Sequence, residues 1–316
     1  MVILSGQSPT DSQGATRRPA KKAIRFSLMV AGQVGLGKST LLATMFEDQI
    51  QPPLEAASPE RPSQFQVLAP TDYVRGYAFE TEVEGERLYI EAIDTPGFGD
   101  DVEPTVRLNE LLAYLERAFD EVFEEEQRVH RNPKFEEHRV HALLYMLEPT
   151  GLSLKAFDAE LMSKLAERVN VIPVIAKADA LTATERASFK KRILEDIRSR
   201  GIRIFDFEGV NIGGVEDDGS RIITADQHLP FAVVGTVAPR GSKEARRGRP
   251  YPWGLVEADN PLHSDLSLLK QALLSLYRDE LKEATEDGLY ENYRTEKLIS
   301  KNNLASEAPK SVPVLA

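Results

Sequence analysis

Gly32-Gln33-Val34-Gly35-Leu36-Gly37-Lys38-Ser39-Thr40 has the spacing of a phosphate-binding loop, a glycine and four residues followed by Gly-Lys-Ser. The run 25–31 before it reads as a short buried strand, and Leu41, Leu42, Met45 and Phe46 behind it recur at helical spacing. Strand, loop and helix are the context this motif requires. Gly32, Gly35 and Gly37, with the backbone of Leu36 and Thr40, form the expected cradle, in which N–H groups and a helix N-terminus face phosphate oxygens. Lys38 is the expected catalytic cation for the β and γ phosphates, and Ser39 the hydroxyl ligand of a Mg²⁺ that keeps its other ligands as water and phosphate.

Composition narrows the class. The 316 residues suggest about two ordinary domains or one enlarged α/β unit, and 41% hydrophobic content supports a sizeable core. The absence of cysteine excludes disulfides, thiolate zinc sites and a catalytic thiol, and the five histidines show no ligand spacing. No apolar run approaches the roughly 20 residues of a membrane span, so a soluble, cytoplasmic protein is expected. The net charge of −11 argues against nucleic acid as a partner. Arg17, Arg18, Lys21, Lys22 and Arg25 nevertheless form a basic cluster. It reads either as a solvated arm or as a site for acidic lipids, the latter worth about 5 kcal/mol at roughly 1 kcal/mol per cation and therefore effective only in a multivalent array.

Along the chain, 1–23 reads as a disordered arm and 51–62 as a Pro-rich loop. Strands are predicted at 64–68, 76–83 and 87–93, with Glu84-Gly85-Glu86 as a turn, followed by a long amphipathic helix spanning 108–123. Strands at 140–147, 171–176, 202–205 and 231–234 and helices at 156–168, 183–200 and 266–284 continue the alternation. The pattern predicts an α/β fold of the P-loop NTPase type, a Ras-like, mostly parallel sheet with helices on both faces and ligands at the carboxyl ends of its strands. The body is expected over 24–300, with 301–316 a disordered tail.

Asp94-Thr95-Pro96-Gly97 ends a buried strand where a second metal-side motif belongs. Asp94 is expected to hold Mg²⁺ through water and the Gly97 N–H to sense the γ phosphate. Ala176-Lys177-Ala178-Asp179 is expected to select the base. A carboxylate at Asp179 accepts from guanine N1–H and the 2-amino group, whereas adenine would leave it desolvated and unpaired. Lys177 would lay its stem over the base. A P-loop kinase or ATPase is disfavoured on that ground. Phe98 stands where Ras-type GTPases orient water with Gln, so slow turnover is expected. Thr71 and Thr81 are candidate switch threonines, with Thr81 taken as the catalytic candidate. In the cluster Arg240, Arg246, Arg247 and Arg249, Arg240 is the candidate finger for a neighbouring protomer's nucleotide.

Gly32 to Thr40, Asp94 to Asp100, Val174 to Asp179, Pro230 to Gly235 and Gly248-Arg249-Pro250-Tyr251-Pro252-Trp253-Gly254 together resemble the septins. Asn260-Pro261, Leu281 to Thr285 and Tyr290 to Arg294 resemble the element that follows the GTPase core in that family, and the similarity runs over roughly 24–298. The resemblance implies a GTP- and GDP-binding cytoskeletal protein that polymerises with itself or other septins through two interfaces, one of which buries nucleotide. It also implies a C-terminal α/β extension from about 245 and action at membranes in cytokinesis or cortical organisation. Carried over by motif, Glu185 lies at the nucleotide interface, Gly235 meets the base by its backbone, Arg249 stacks on guanine and Trp253 anchors the interface. The basic cluster, with Arg17, Arg18, Lys21 and Lys22, occupies the place of a phosphoinositide-binding segment. Leu152 replaces a His common in the family, and the family's C-terminal coiled coil has no counterpart in this sequence. A monomeric signalling GTPase is the alternative.

Overall fold

Residues of the first strand, β1 (Ile24–Gly32), alternate between two apolar clusters, which is why this strand sits at the centre. Phe26, Leu28 and Val30 face one cluster, and Met29 and Ala31 the other. The computed structural model describes residues 23–46, 50, 66–71, 74–99, 104–133, 135–207, 228–236 and 247–307, with 66–71, 104 and 302–307 described for their backbone alone.

The chain continues through α1 (Lys38–Met45), β2 (Gln66–Thr71), β3 (Val74–Val83), β4 (Glu86–Asp94), α2 (Pro104–Gln127), β5 (Ala142–Leu147), α3 (Ala156–Leu165), β6 (Val171–Ile175) and α4 (Ala183–Ser199). It ends with β7 (Phe231–Ala232), β8 (Gly248–Tyr251), β9 (Gly254–Glu257), α5 (Leu266–Gln271), α6 (Arg278–Glu283) and α7 (Glu291–Glu307). The main sheet has the order β2-β3-β4-β1-β5-β6-β7, in which β3 alone is antiparallel to its neighbours. Helix α1 and the segment 266–281 cover one face, while α2, α3 and α4 cover the other. The predicted α/β architecture is therefore present. Because β4 and β5 flank β1 on opposite sides, the carboxyl end of β1 is the topological switch point where ligands bind.

Several local expectations change. The Arg-rich loop ends in a hairpin, β8 paired with β9. The strand expected at 202–205 is absent, because β7 takes the edge of β6 and leaves the Phe205 amide a single bond to the Val171 carbonyl at 2.9 Å. Phe205 and Phe207 instead pack edge-on against Tyr277. The last helix continues past 284 to Glu307, through the start of the segment expected to be disordered, with π-helical stretches at 272–276 and 284–290. Near the second stretch, Asn170 Nδ2 donates to the Leu281 carbonyl, the His141 carbonyl and Thr285 Oγ1 within 3.1 Å. Among the described residues no helix is long and apolar enough to cross a membrane.

Asp265 ties these layers together below the base end of the site. It accepts from the Ala232 amide at 2.8 Å and from Lys190 Nζ at 2.6 Å, with His228 alongside at 3.4 Å. Burial pushes its carboxyl up, but His228, Lys190 and the Ala232 amide outweigh this and hold it at about 2, below the ordinary 3.8. Burial also lowers the Lys190 pKa against the pull of Asp265, which offsets part of the gain. A depressed carboxylate stabilises fully above its unfolded value and loses that contribution as pH falls through the folded one. Asp265→Asn is expected to cost about 2 kcal/mol at neutral pH and to flatten the fall in stability between about pH 4 and pH 2 in urea unfolding curves.

Candidate functional site

The turn out of β1 admits only glycine at Gly32: a Cβ there would lie 2.6 Å from the Met146 carbonyl oxygen. The loop then enters α1 through Gly37, left-handed at φ 88. Lys38 Nζ is buried and donates to the carbonyls of Gly32 and Gln33 at 3.2 and 3.0 Å, beneath the crest of the loop. Ser39 Oγ donates to Asp94 Oδ2 at 2.5 Å, while Asp94 Oδ1 is buried without a partner. Burial lowers the Lys38 pKa and raises that of Asp94, and in each case their mutual attraction opposes the shift. Desolvation wins on both, for Asp94 also against the hydrogen bond from Ser39.

The segment after Asp94 is stitched to the loop. Phe98 N–H donates to the Gly32 carbonyl, and Val34 N–H donates to the Phe98 carbonyl, both at 3.1 Å. A Cβ on Gly97 would lie 2.5 Å from Val34 Cα and N, so Gly97 is obligatory for this approach. The Phe98 side chain is buried against Tyr145 and Phe157. Under it lies a polar group that sequence reasoning missed. Asp158 accepts from Tyr145 OH at 2.9 Å and from Gln33 Nε2 at 3.2 Å, fixing the second residue of the loop. In the sequence Asp158 is one more acid in the first turn of a helix, and no local signal sets it apart.

The base end forms where β6, β7 and β8 come together. Lys177 is left-handed at φ 48, which turns the chain into the short 3₁₀ segment Ala178–Ala180, and the Ala178 amide donates to the Val233 carbonyl at 3.0 Å. Asp179 Oδ2 accepts from Tyr251 OH and from Arg249 Nη1 at 3.2 Å, and Arg249 Nε donates to the Gly235 carbonyl at 2.9 Å. Asp179 Oδ1 is buried without a partner. Gly235 approaches α1 so closely that a Cβ would meet Thr40 Cγ2 at 3.3 Å. Arg249 thus lies between Asp179 and Gly235, its guanidinium engaged edge-on by both. Tyr251 is an added site residue, legible from β8 because it shares a strand face with Arg249 two positions earlier.

Other expected residues lie elsewhere. Thr81 pairs with Leu88, which pairs with Ile24 at the start of β1, whereas Asp94 pairs with Val30 near its end. Six positions of strand, about 20 Å, separate Thr81 from the phosphate end, so it is not the switch threonine. Thr71 pairs with Val74, next to the Arg75–Asp94 pair, which puts its backbone at the correct end. Glu185 caps α4, accepting from the Thr182 amide and hydroxyl at 2.9 and 2.7 Å, and its carboxylate is exposed. Arg247 is turned away, donating to the Thr44 carbonyl at 2.9 Å and to Asp259 at 2.7 Å. Arg240 and Arg246, with Arg17, Arg18, Lys21 and Lys22, lie outside the described residues.

A central parallel sheet, a glycine loop with Lys38 and Ser39 at a helix start, Asp94 facing them and Asp179 at the far end define a P-loop protein of the guanine-nucleotide-binding class. The family model described as Septin matches residues 22–307. Septin homolog spn3 of Schizosaccharomyces pombe is 39% identical over 293 residues, covering 90% of this chain and 75% of that protein. Cell division control protein 3 of Candida albicans is 38% identical over 290 residues, covering 89% of this chain and 67% of that one. The crystal structure of the septin GTPase domain from Chlamydomonas reinhardtii superimposes with a TM-score of 0.66 at 25% identity, covering 87% of this chain and 99% of that one. The chain belongs to the septin family, and guanine-nucleotide binding follows from that membership.

Asp179→Asn exchanges an acceptor for a donor at the buried end of the site. Affinity for GTP is expected to fall by about 100-fold or more while xanthosine triphosphate, whose C2 carbonyl needs a donor, becomes the better ligand. Competition titrations with the two nucleotides measure this directly.

Proposed function

We propose that this septin binds GTP and Mg²⁺, hydrolyses GTP slowly, and assembles with copies of itself or with other septins into filaments through a face that includes the nucleotide. The observation that carries the reading is the pair of orphaned acceptors at the carboxyl end of the sheet, one at the end of β4 and one just after β6. Among the described residues four buried side-chain atoms lack hydrogen-bond partners, and two of them are Asp94 Oδ1 and Asp179 Oδ1. The first suits a hydrated cation and the second a guanine N–H, and each orphan costs stability until its ligand arrives. Ser39 and Asp94 would hold the Mg²⁺. When bound it supplies charge neutralisation at the β and γ phosphates.

Support for assembly comes from the rim. Trp253 stacks on Tyr251 at 5.0 Å, which in turn bonds Asp179, yet Trp253 is 79% exposed. Leu152, after β5, and Leu262, held by Arg186 at the start of α4, are 68% and 79% exposed at the same end of the sheet. Large apolar side chains exposed to solvent are a protein-binding feature. The Candida relative is by name a cell division control protein, which supports a role in cell division; action in cytokinesis or cortical organisation, in the cytoplasm and at membranes, is the finer part of the proposal. Arg25 does not join the basic arm, because Glu91 and Glu136 hold it at 3.2 and 2.9 Å. Arg17, Arg18, Lys21 and Lys22 remain, about 4 kcal/mol together, so lipid binding requires the assembled array. An arginine from a neighbouring protomer, Arg240 first among them, would complete catalysis in trans.

Trp253 is the chain's one tryptophan, so its fluorescence reports this face alone. With GDP bound, raising the protein concentration is expected to shift emission to the blue together with a rise in mass by light scattering. Trp253→Ala is expected to weaken assembly by about 30-fold or more, as loss of a hot spot of about 2 kcal/mol would. A strict monomer at every concentration overturns the filament reading.

A further inference from the structure

Three side chains lie between Gly32 and the last glycine of the phosphate loop, and two of them are committed elsewhere. Gln33 is tied back to Asp158, and Leu36 is buried in the core beside α1. Val34 alone stands free, 43% exposed. It sits above the carbonyls that anchor Lys38 Nζ, so it marks the γ-phosphate end of the loop. Its backbone and its Cγ2 both lie against Gly97, the residue expected to sense a terminal phosphate, and its amide is bonded to Phe98.

We propose that Val34 is a steric brake on GTP hydrolysis: its isopropyl group occupies the approach to the terminal phosphate between the loop and Gly97, keeping this septin predominantly in the GTP-bound state. The proposal rests on the GTP reading above. In the reaction a water oxygen forms a bond to the γ phosphorus, the bond to the β–γ bridging oxygen breaks with its electron pair leaving on GDP, and the water's protons pass to phosphate and solvent. That water must be held by hydrogen bonds as it attacks. Val34 offers none and is branched at Cβ, so it cannot rotate both methyl groups out of the way. Phe98 adds nothing polar, since its ring is turned into the core against Tyr145. The brake therefore acts beside a site that binds nucleotide with its full set of backbone donors.

The test uses the full chain and three variants, Val34→Ser, Val34→Gly and Val34→Leu, loaded with GTP. Single-turnover hydrolysis, the GTP to GDP ratio retained on the purified protein, and affinity for the slowly hydrolysed analogue GTPγS are measured. Val34→Ser and Val34→Gly are expected to hydrolyse at least about tenfold faster and to retain mainly GDP, with Val34→Leu no faster than wild type. GTPγS affinity is expected to stay within about threefold across the set. Serine and glycine variants that bind GTPγS normally yet turn over at the wild-type rate overturn the brake while leaving the GTP reading intact. Failure of the wild-type chain to bind GTPγS overturns both.

Discussion

Ser39 Oγ donates to Asp94 Oδ2 at 2.5 Å, joining the first turn of α1 to the end of β4 across the top of β1. Both partners are placed by the sheet: β1 is parallel to β4 with Val30 opposite Asp94, and the loop that follows β1 delivers Ser39. The same register places Gly97 against Val34 and lets Phe98 bond to Gly32. A slip of one residue would reverse every side chain of β4 and move Asp94 to the other face. The glycine loop, the Ser39–Asp94 pair and the segment at Gly97 and Phe98 thus share one geometric origin. Breaking the sheet register would disable all three together.

The base end follows a different logic. Asp179 is a carboxylate whose side chain is 2% exposed, half satisfied by Arg249 and Tyr251 and half unsatisfied. Leaving a buried acceptor unpaired costs about 1–3 kcal/mol, and on the proposed reading a guanine N–H would supply the missing donor. Arg249 and Tyr251 come from the β8–β9 hairpin, which also carries the exposed Trp253. The contacts to Asp179 and the outward face therefore ride on one element, so on the proposed reading a nucleotide that tightened the hairpin against Asp179 would also set the position of Trp253.

Legibility in the sequence tracks how local each feature is. The loop 32–40 and Asp94 are readable because the glycine spacing and the polar end of an apolar strand are contiguous patterns. The order of the strands is readable only as a class, since alternation predicts parallel strands and not their partners. Thr81 shows the cost: its position on β3 is correct, but only the pairing with Leu88 reveals that it lies at the wrong end of the sheet. The strand expected at 202–205 shows the same limit, because apolar residues there are buried by aromatic packing on Tyr277 rather than by a ladder. Asp158 and Gln33 are unreadable in principle. They are 125 positions apart and meet only in the fold.

Hydrogen–deuterium exchange of the full chain, with and without GDP and across protein concentration, tests most directly whether a guanine nucleotide and a protein partner share this one end of the sheet. Nucleotide-dependent protection is expected at 32–40 and 176–180 at every concentration, with added protection at 150–153 and 251–255 once mass rises. Protection confined to the phosphate loop, with 251–255 exchanging equally fast in monomer and assembly, would contradict a shared face.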